Sequence, residues 1–176
     1  MKISSKVIGW VLAFIGFPIG GLLAGVVIGS LDTAVEGLIG GGLAGIAVGV
    51  AQTLALRRWL NVDWIWAGAT TIGLAVGLSL SVLIMGAATT VEATVVRGVI
   101  TGLVLGMAQG WVFRRVMRRA IVWAILVTVL YPAAWFITAQ VIQASLGEGF
   151  VVFGSSGALC FQAATGIGLW LMEREG

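Results

Sequence analysis

The sequence predicts an all-α, polytopic integral membrane protein: six transmembrane helices in three tandem hairpin repeats with a pseudo-threefold arrangement. Three observations carry this expectation. The chain is 60% hydrophobic and only 10% charged, with a mean hydropathy of +1.11. So apolar a chain cannot hide its surface in a core of its own, and lipid has to cover the rest. Six apolar runs reach the roughly 20 residues that a helix needs to cross a bilayer. A glycine–glutamine–arginine pattern then recurs along the chain at a near-constant interval, as an internal repeat does.

The runs occupy residues 7–29, 35–56, 64–85, 93–113, 120–142 and 150–172 of a single transmembrane domain over residues 1–176. They leave no room for a separate soluble domain. The loops after the second and fourth runs carry Arg57, Arg58, Arg114, Arg115, Arg118 and Arg119. Those after the first, third and fifth carry Asp32, Glu36, Glu92 and Glu148. Lysine- and arginine-rich loops stay in the cytoplasm. Lys2, Lys6 and Arg174 fall on the same side, so both termini are expected to be cytoplasmic. The net charge of +3 therefore reports topology, and without a basic domain no nucleic-acid partner is expected. The first run follows lysines as a signal peptide does. Yet Pro18 and Pro132 lie twice 57 positions apart, and the same step of 57 relates Gly16 to Gly73 and Gly20 to Gly77. The first run is a member of the repeat and is expected to be retained.

The even-numbered runs share one pattern. The second reads Gly37, Gly41, Gly45, Gly49, Gln52 and then Arg57-Arg58; the fourth reads Gly98, Gly102, Gly106, Gln109 and then Arg114-Arg115. The sixth keeps Gln162 behind Gly154, Ser155 and Gly157 but ends without an arginine pair. Glycines four residues apart share one helix face and let a neighbouring backbone approach closely, so these are expected to be packing residues. The starts of the same runs repeat as well. Thr33 with Glu36, Thr89 with Glu92 and Ser145 with Glu148 each fit S/T-x-x-E and recur at intervals of 56 residues. That is the capping box, in which a hydroxyl and a carboxylate satisfy orphaned N–H groups at a helix start. Two-span repeats return the chain to the same side, which predicts parallel copies about an axis along the membrane normal.

Four groups of polar or aromatic residues compete for a functional reading. Gln52, Gln109 and Gln162 sit near the ends of their helices; on facing helices their amides form a hydrogen-bonded set, as interhelical glue, as a constriction for a solute or as polar ligands of a bound cofactor. Arg97 is the one charge clearly inside a run, about one turn in from the outer face. It reads first as a structural ion pair or a snorkelling side chain. It reads second, since intramembrane charge marks a functional site by default, as a residue that binds an anion or substrate. Its expected partners are Glu92, Glu36 or Glu148. The three glutamates also read as an acidic ring, although helix capping already accounts for them. Trp10, Trp59, Trp64, Trp66, Trp111 and Trp170 gather near the arginine loops, with Trp123 in the same layer, as an aromatic belt does at a membrane interface. Trp135 lies deeper and is expected to pack. Cys160, the only cysteine, is expected to be a small packing residue. There is no histidine, and no HExxH, phosphate-binding GxxxxGK[ST] or pair of acids inside a helix appears. No metal, cofactor or enzymatic activity is expected.

Spaced glycines, then glutamine, then Leu/Phe-Arg-Arg ahead of a tryptophan-bearing helix resemble a group of uncharacterised bacterial multi-spanning membrane proteins with a G-x-x-x-G-x-x-Q-W-x-x-L-R repeat. Thr53 and Gly110 stand where that pattern has tryptophan after the glutamine. The resemblance implies the repeat, the fold and a bacterial inner (plasma) membrane location, and brings no activity with it. In size and span count the chain is also similar to substrate-binding subunits of vitamin-type transporters. The expected partners are the lipid bilayer and other membrane proteins or further copies of the chain. The expected function is an accessory, assembly or scaffold subunit of a membrane complex, acting through glycine-faced helix packing. The alternative is a small channel, transporter or solute-binding subunit that uses Arg97 and the Gln52, Gln109 and Gln162 set.

Overall fold

Lipid offers no hydrogen bonds, so an apolar run that enters it must close its own backbone bonds as a helix. The computed structural model of the chain, which describes residues 5–88, 90–144 and 155–174, is accordingly built from helices. Helix α1 runs as Ser5–Leu12 and Gly16–Ile28, joined by a 3₁₀ turn at Ala13–Ile15. It is followed by α2 (Ala34–Leu56), α3 (Ile65–Met85), α4 (Val91–Phe113), α5 (Ala120–Ala144) and α6 (Ser155–Arg174). Among the described residues, five segments are long and apolar enough to cross a membrane: Ser5–Ile28, Ala34–Leu56, Ile65–Met85, Val91–Phe113 and Ala120–Val141. The chain is thus a polytopic, all-α membrane protein. The sixth predicted run begins at residues outside the described ones, and its described part forms α6.

Each helix packs on the next in sequence, and α6 packs back on α1, closing the described helices into a ring. Glycine makes the close approaches. A Cβ on Gly41 of α2 would stand 2.5 Å from the Leu74 carbonyl oxygen of α3, and one on Gly106 of α4 would stand 2.5 Å from the Ala124 carbonyl oxygen of α5. Gly37, Gly45 and Gly49 meet α3 backbone in the same way, and Gly98 and Gly102 meet α5 at Pro132 and Tyr131. Gly16 and Gly20 of α1 meet α2 backbone, while Gly73 and Gly77 of α3 meet α4 at Leu105 and Thr101. The glycine stripes of α2 and α4 are therefore taken up by contacts within the chain.

The helix starts depart from the expected register once. Thr33 and Glu36 form the reciprocal capping box, with the Glu36 amide donating to the Thr33 hydroxyl at 3.2 Å and the Thr33 amide to the Glu36 carboxylate at 2.7 Å. At α4 the capping residue is Thr90, whose hydroxyl accepts from the Ala93 amide at 3.2 Å. Three residues after Thr90 stands an alanine, which has no carboxylate to reach back, so the cap is one-sided and Glu92 only lends its charge to the first turn. Thr89, Ser145 and Glu148 lie outside the described residues. At the other ends of α1 and α3, Gly29 and Gly86 take φ values of 69° and 62°, a left-handed geometry that a side chain resists.

One end of the ring gathers the arginine loops and both described ends of the chain. The Lys6 ammonium of α1 bonds and pairs with the Glu173 carboxylate of α6, and the Trp59 indole of the α2–α3 loop donates to the same carboxylate at 2.8 Å. The hydrogen bond from Lys6 holds the Glu173 carboxyl below its ordinary value. At this end Trp64 and Trp111 are half-exposed and lie under Arg57 and under Arg114 and Arg115 respectively, as an interface belt requires. Cys160 faces outward from α6 and is not a packing residue.

The glycine contacts make a paired expectation. Gly41→Ala forces a methyl group into α3 backbone and lowers stability by about 1–3 kcal/mol. Gly25→Ala, which meets nothing within 4 Å, leaves stability unchanged or slightly raised, since alanine is the better helix former. Thermal unfolding of both variants in detergent checks the contrast.

Candidate functional site

The interior of the ring is polar where the arginine-loop ends of the helices converge. Gln52 of α2, Gln109 of α4 and Gln162 of α6 are each at most 1% exposed, as are Thr70 of α3 and Thr165 of α6. The structure brings all three predicted glutamines together. The Gln109 amide donates to the Gln52 carbonyl at 3.4 Å and to the Thr70 hydroxyl at 3.0 Å. The Gln52 amide donates to the Gln162 carbonyl at 3.1 Å, and the Gln162 amide to the backbone carbonyl of Trp10 at 2.8 Å. The result is a directed chain of amides around the centre of the bundle.

Tryptophan completes the layer, which the sequence reading missed. Trp10, Trp66 and Trp123 stand near the starts of α1, α3 and α5 and are almost wholly buried. They do not belong to the interface belt. Their indoles lean edge-on and tilted against one another, with ring centroids 6.4, 5.8 and 5.9 Å apart, and Phe113 packs on Trp66 and Trp123 at 4.5 and 4.9 Å. A buried indole N–H needs an acceptor. Trp66 finds the Gln52 carbonyl at 3.2 Å, Trp123 the Gln109 carbonyl at 3.2 Å, and Trp10 the Thr165 hydroxyl at 3.0 Å.

The third pair differs for a reason visible in the numbering. Gln109 follows Gln52 by 57 residues, but Gln162 follows Gln109 by 53, one helical turn short. The residue 57 beyond Gln109 is Gly166, and a Cβ there would stand 2.8 Å from the Trp10 ring. Trp10 occupies that space, Thr165 accepts its N–H, and Gln162 is left to cap the amide chain from one turn away. The spacing of the tryptophans, 56 and then 57 residues, was available in the sequence as a signal.

Two hollows lie beyond this layer, neither lined by the glutamines or the three tryptophans. Toward the arginine loops lies a recess of about 430 Å³ bordered by Leu60, Met117 and Met172, with Arg118, Arg119 and Glu173 at its rim. Toward the opposite end lies a crevice of about 80 Å³ lined by Phe17, Tyr131, Trp135 and Phe161. Two of these wall residues follow from helix direction: Phe17 and Tyr131 are two turns beyond Trp10 and Trp123 on helices that run away from the arginine loops.

Arg97 stands apart from the glutamines, in the half of α4 nearer the other end. It is 8% exposed, and its terminal nitrogen Nη2 donates to the Gly86 carbonyl that ends α3. Neither Glu92 nor Glu36 pairs with it, and Glu148 lies outside the described residues; among the described residues the one ion pair is Lys6 with Glu173. Its Nε and the Thr101 hydroxyl, one turn along the same helix, are buried with no partner among the described residues. Thr101 was not singled out from the sequence. No group of histidine, cysteine and carboxylate side chains suited to a metal ion occurs among the described residues. No protein-family model, curated protein or solved structure matches the chain.

The layer makes a testable unit. Gln52→Leu removes the acceptor of Trp66 and leaves a buried N–H unsatisfied, which costs about 1–3 kcal/mol and outweighs the roughly 0.6 kcal/mol that an average interhelical bond contributes. Once Gln52 is leucine, Trp66→Phe removes the orphaned donor, so the double variant is less destabilised than the two singles added together. Additive losses, measured by denaturation in detergent, refute the coupling.

Proposed function

We propose that the chain is a small solute-binding or transport subunit of a bacterial inner membrane, non-catalytic, with Arg97 as its principal recognition residue and the glutamine–tryptophan layer as its inner seal. In this reading the six helices are six spans in three hairpins about a pseudo-threefold axis, with both termini and the arginine loops in the cytoplasm. The repeat of tryptophan at residues 10, 66 and 123, of Gly29 and Gly86, and of Gln52 and Gln109 supports the threefold arrangement. The arginine loops and the Lys6–Glu173 pair at one end support the topology.

The observation that carries the functional reading is Arg97. A guanidinium inside a membrane bundle is costly, by roughly 2.5–3.5 kcal/mol at the bilayer centre on insertion scales and by less at the depth of Arg97, about 9 Å from the start of α4. One bond to Gly86 does not use its donors, and no described carboxylate neutralises it. The scaffold reading rested on glycine faces offered to other proteins. The stripes on α2 and α4 are occupied by α3 and α5 instead, which removes that support.

Reconstitution into liposomes tests the proposal. The protein retains or moves a solute, and Arg97→Gln lowers that activity by about tenfold or more, the loss expected for hydrogen bonding to a charged group. The variant stays monodisperse in detergent. Wild-type protein that moves nothing, carries no bound solute and purifies only as part of a heteromeric complex returns the scaffold reading.

A further inference from the structure

We propose that Arg97 and Thr101 form a recognition site for a small oxyanion, with a carboxylate as its simplest ligand. The inference rests on the solute-binding reading and gives that site its substrate class. Residues four apart on a helix lie on one face about 6 Å from each other, and Arg97 and Thr101 both face α3, where Arg97 reaches the Gly86 carbonyl and Thr101 packs on Gly77. The Arg97 Nε–H and the Thr101 hydroxyl are buried and both lack a partner among the described residues. Thr101 is 1% exposed.

The threonine is the informative member. Buried helical hydroxyls are ordinarily engaged: Thr53 and Thr165 donate to the carbonyl one turn back at 2.7–2.8 Å, as the part-buried Thr71 and Thr128 also do, and Thr70 accepts from the Gln109 amide at 3.0 Å. Thr101 has the same option toward the Arg97 carbonyl and does not take it. Leaving a buried hydroxyl idle costs free energy, so its pairing with a second idle donor one turn away marks a place for an acceptor. Elsewhere the described residues leave nothing comparable: the Gln52, Gln109 and Gln162 amides and the three buried indoles are all engaged.

Charge decides the kind of acceptor. Arg97 carries a full positive charge in a low-dielectric interior with no described carboxylate beside it. A water or a neutral carbonyl satisfies donors without compensating that charge, whereas one negative charge does both. The guanidinium is planar and presents divergent N–H groups, which suits the oxygens of a carboxylate or phosphate. Arg97 is the seventh residue of α4, about 9 Å from the helix start. The ligand therefore reaches it from the end opposite the arginine loops, ahead of the closed layer.

Thermal unfolding in detergent reads the binding directly. Sodium formate, acetate and phosphate are each titrated against sodium chloride at equal ionic strength. At least one of them raises the midpoint saturably. Arg97→Lys, which keeps the charge but loses Nε, and Thr101→Val each weaken the apparent Kd by about tenfold or more. Cys160→Ser, on the exterior, leaves it unchanged. A wild type that responds to no oxyanion overturns the proposal, and so does a response that both site variants retain. A Glu148→Gln variant that responds where the wild type does not also overturns it, because the chain then supplies its own carboxylate. Flux of a neutral or cationic solute with no oxyanion response sinks this inference alone. Absence of any flux or bound solute sinks the solute-binding reading beneath it.

Discussion

A polar group buried in a lipid-covered bundle has no water to fall back on, and this constraint governs the interior of the protein. Three indole N–H groups and three glutamine amides meet near one end of the ring, and each finds its partner on another helix. The individual bonds are weak. What gives the layer its authority is the cost of leaving any one of them unmade, about 1–3 kcal/mol for each orphaned group. Rotating a single helix would orphan several at once. Position and register of all six helices are thereby tied to one another at one level.

Glycine does the complementary work along the length of the helices. It brings backbones close enough for packing to operate where lipid supplies no hydrophobic drive between helices. The two devices divide the structure: close contact holds neighbouring helices together in pairs, and the polar layer joins all six across the centre. The first and last helices have the sparest contact, and there the chain adds the Trp10–Thr165 bond inside and the Lys6–Glu173 pair at the surface. Against this fully paired layer, the idle donors of Arg97 and Thr101 are conspicuous, and they give the proposed site its location.

Much of this was legible in the sequence. Apolar length gave the helices, period-four glycine gave the close faces, and the identical Gln-to-Arg spacing in α2 and α4 pointed to Gln52 and Gln109 as equivalent. Which neighbour the glycine faces meet was not legible, because a stripe encodes closeness without naming a partner. Tryptophan near a charged loop reads as an interface residue, so Trp10, Trp66 and Trp123 were assigned to the belt. Side-chain direction distinguishes them from Trp64 and Trp111, and a linear pattern carries it only through the 56- and 57-residue repeat. The capping threonine of α4 slipped by one because Thr89 and Thr90 offer the same hydroxyl in adjacent positions. Arg97 was legible as an anomaly. Thr101 was not, since its significance lies in having no hydrogen-bond partner where the other buried threonines, Thr53, Thr70 and Thr165, each have one.

The central claim is that the three tryptophans and the glutamines form one closed layer shielded from water. Indole N–H exchange, followed by NMR on protein carrying nitrogen-15 tryptophan in micelles, tests it most directly. The account predicts that the signals of Trp10, Trp66 and Trp123 persist long after transfer to deuterated water, while those of Trp64 and Trp111 vanish early. Exchange of the three buried indoles as fast as that of Trp64 would contradict it.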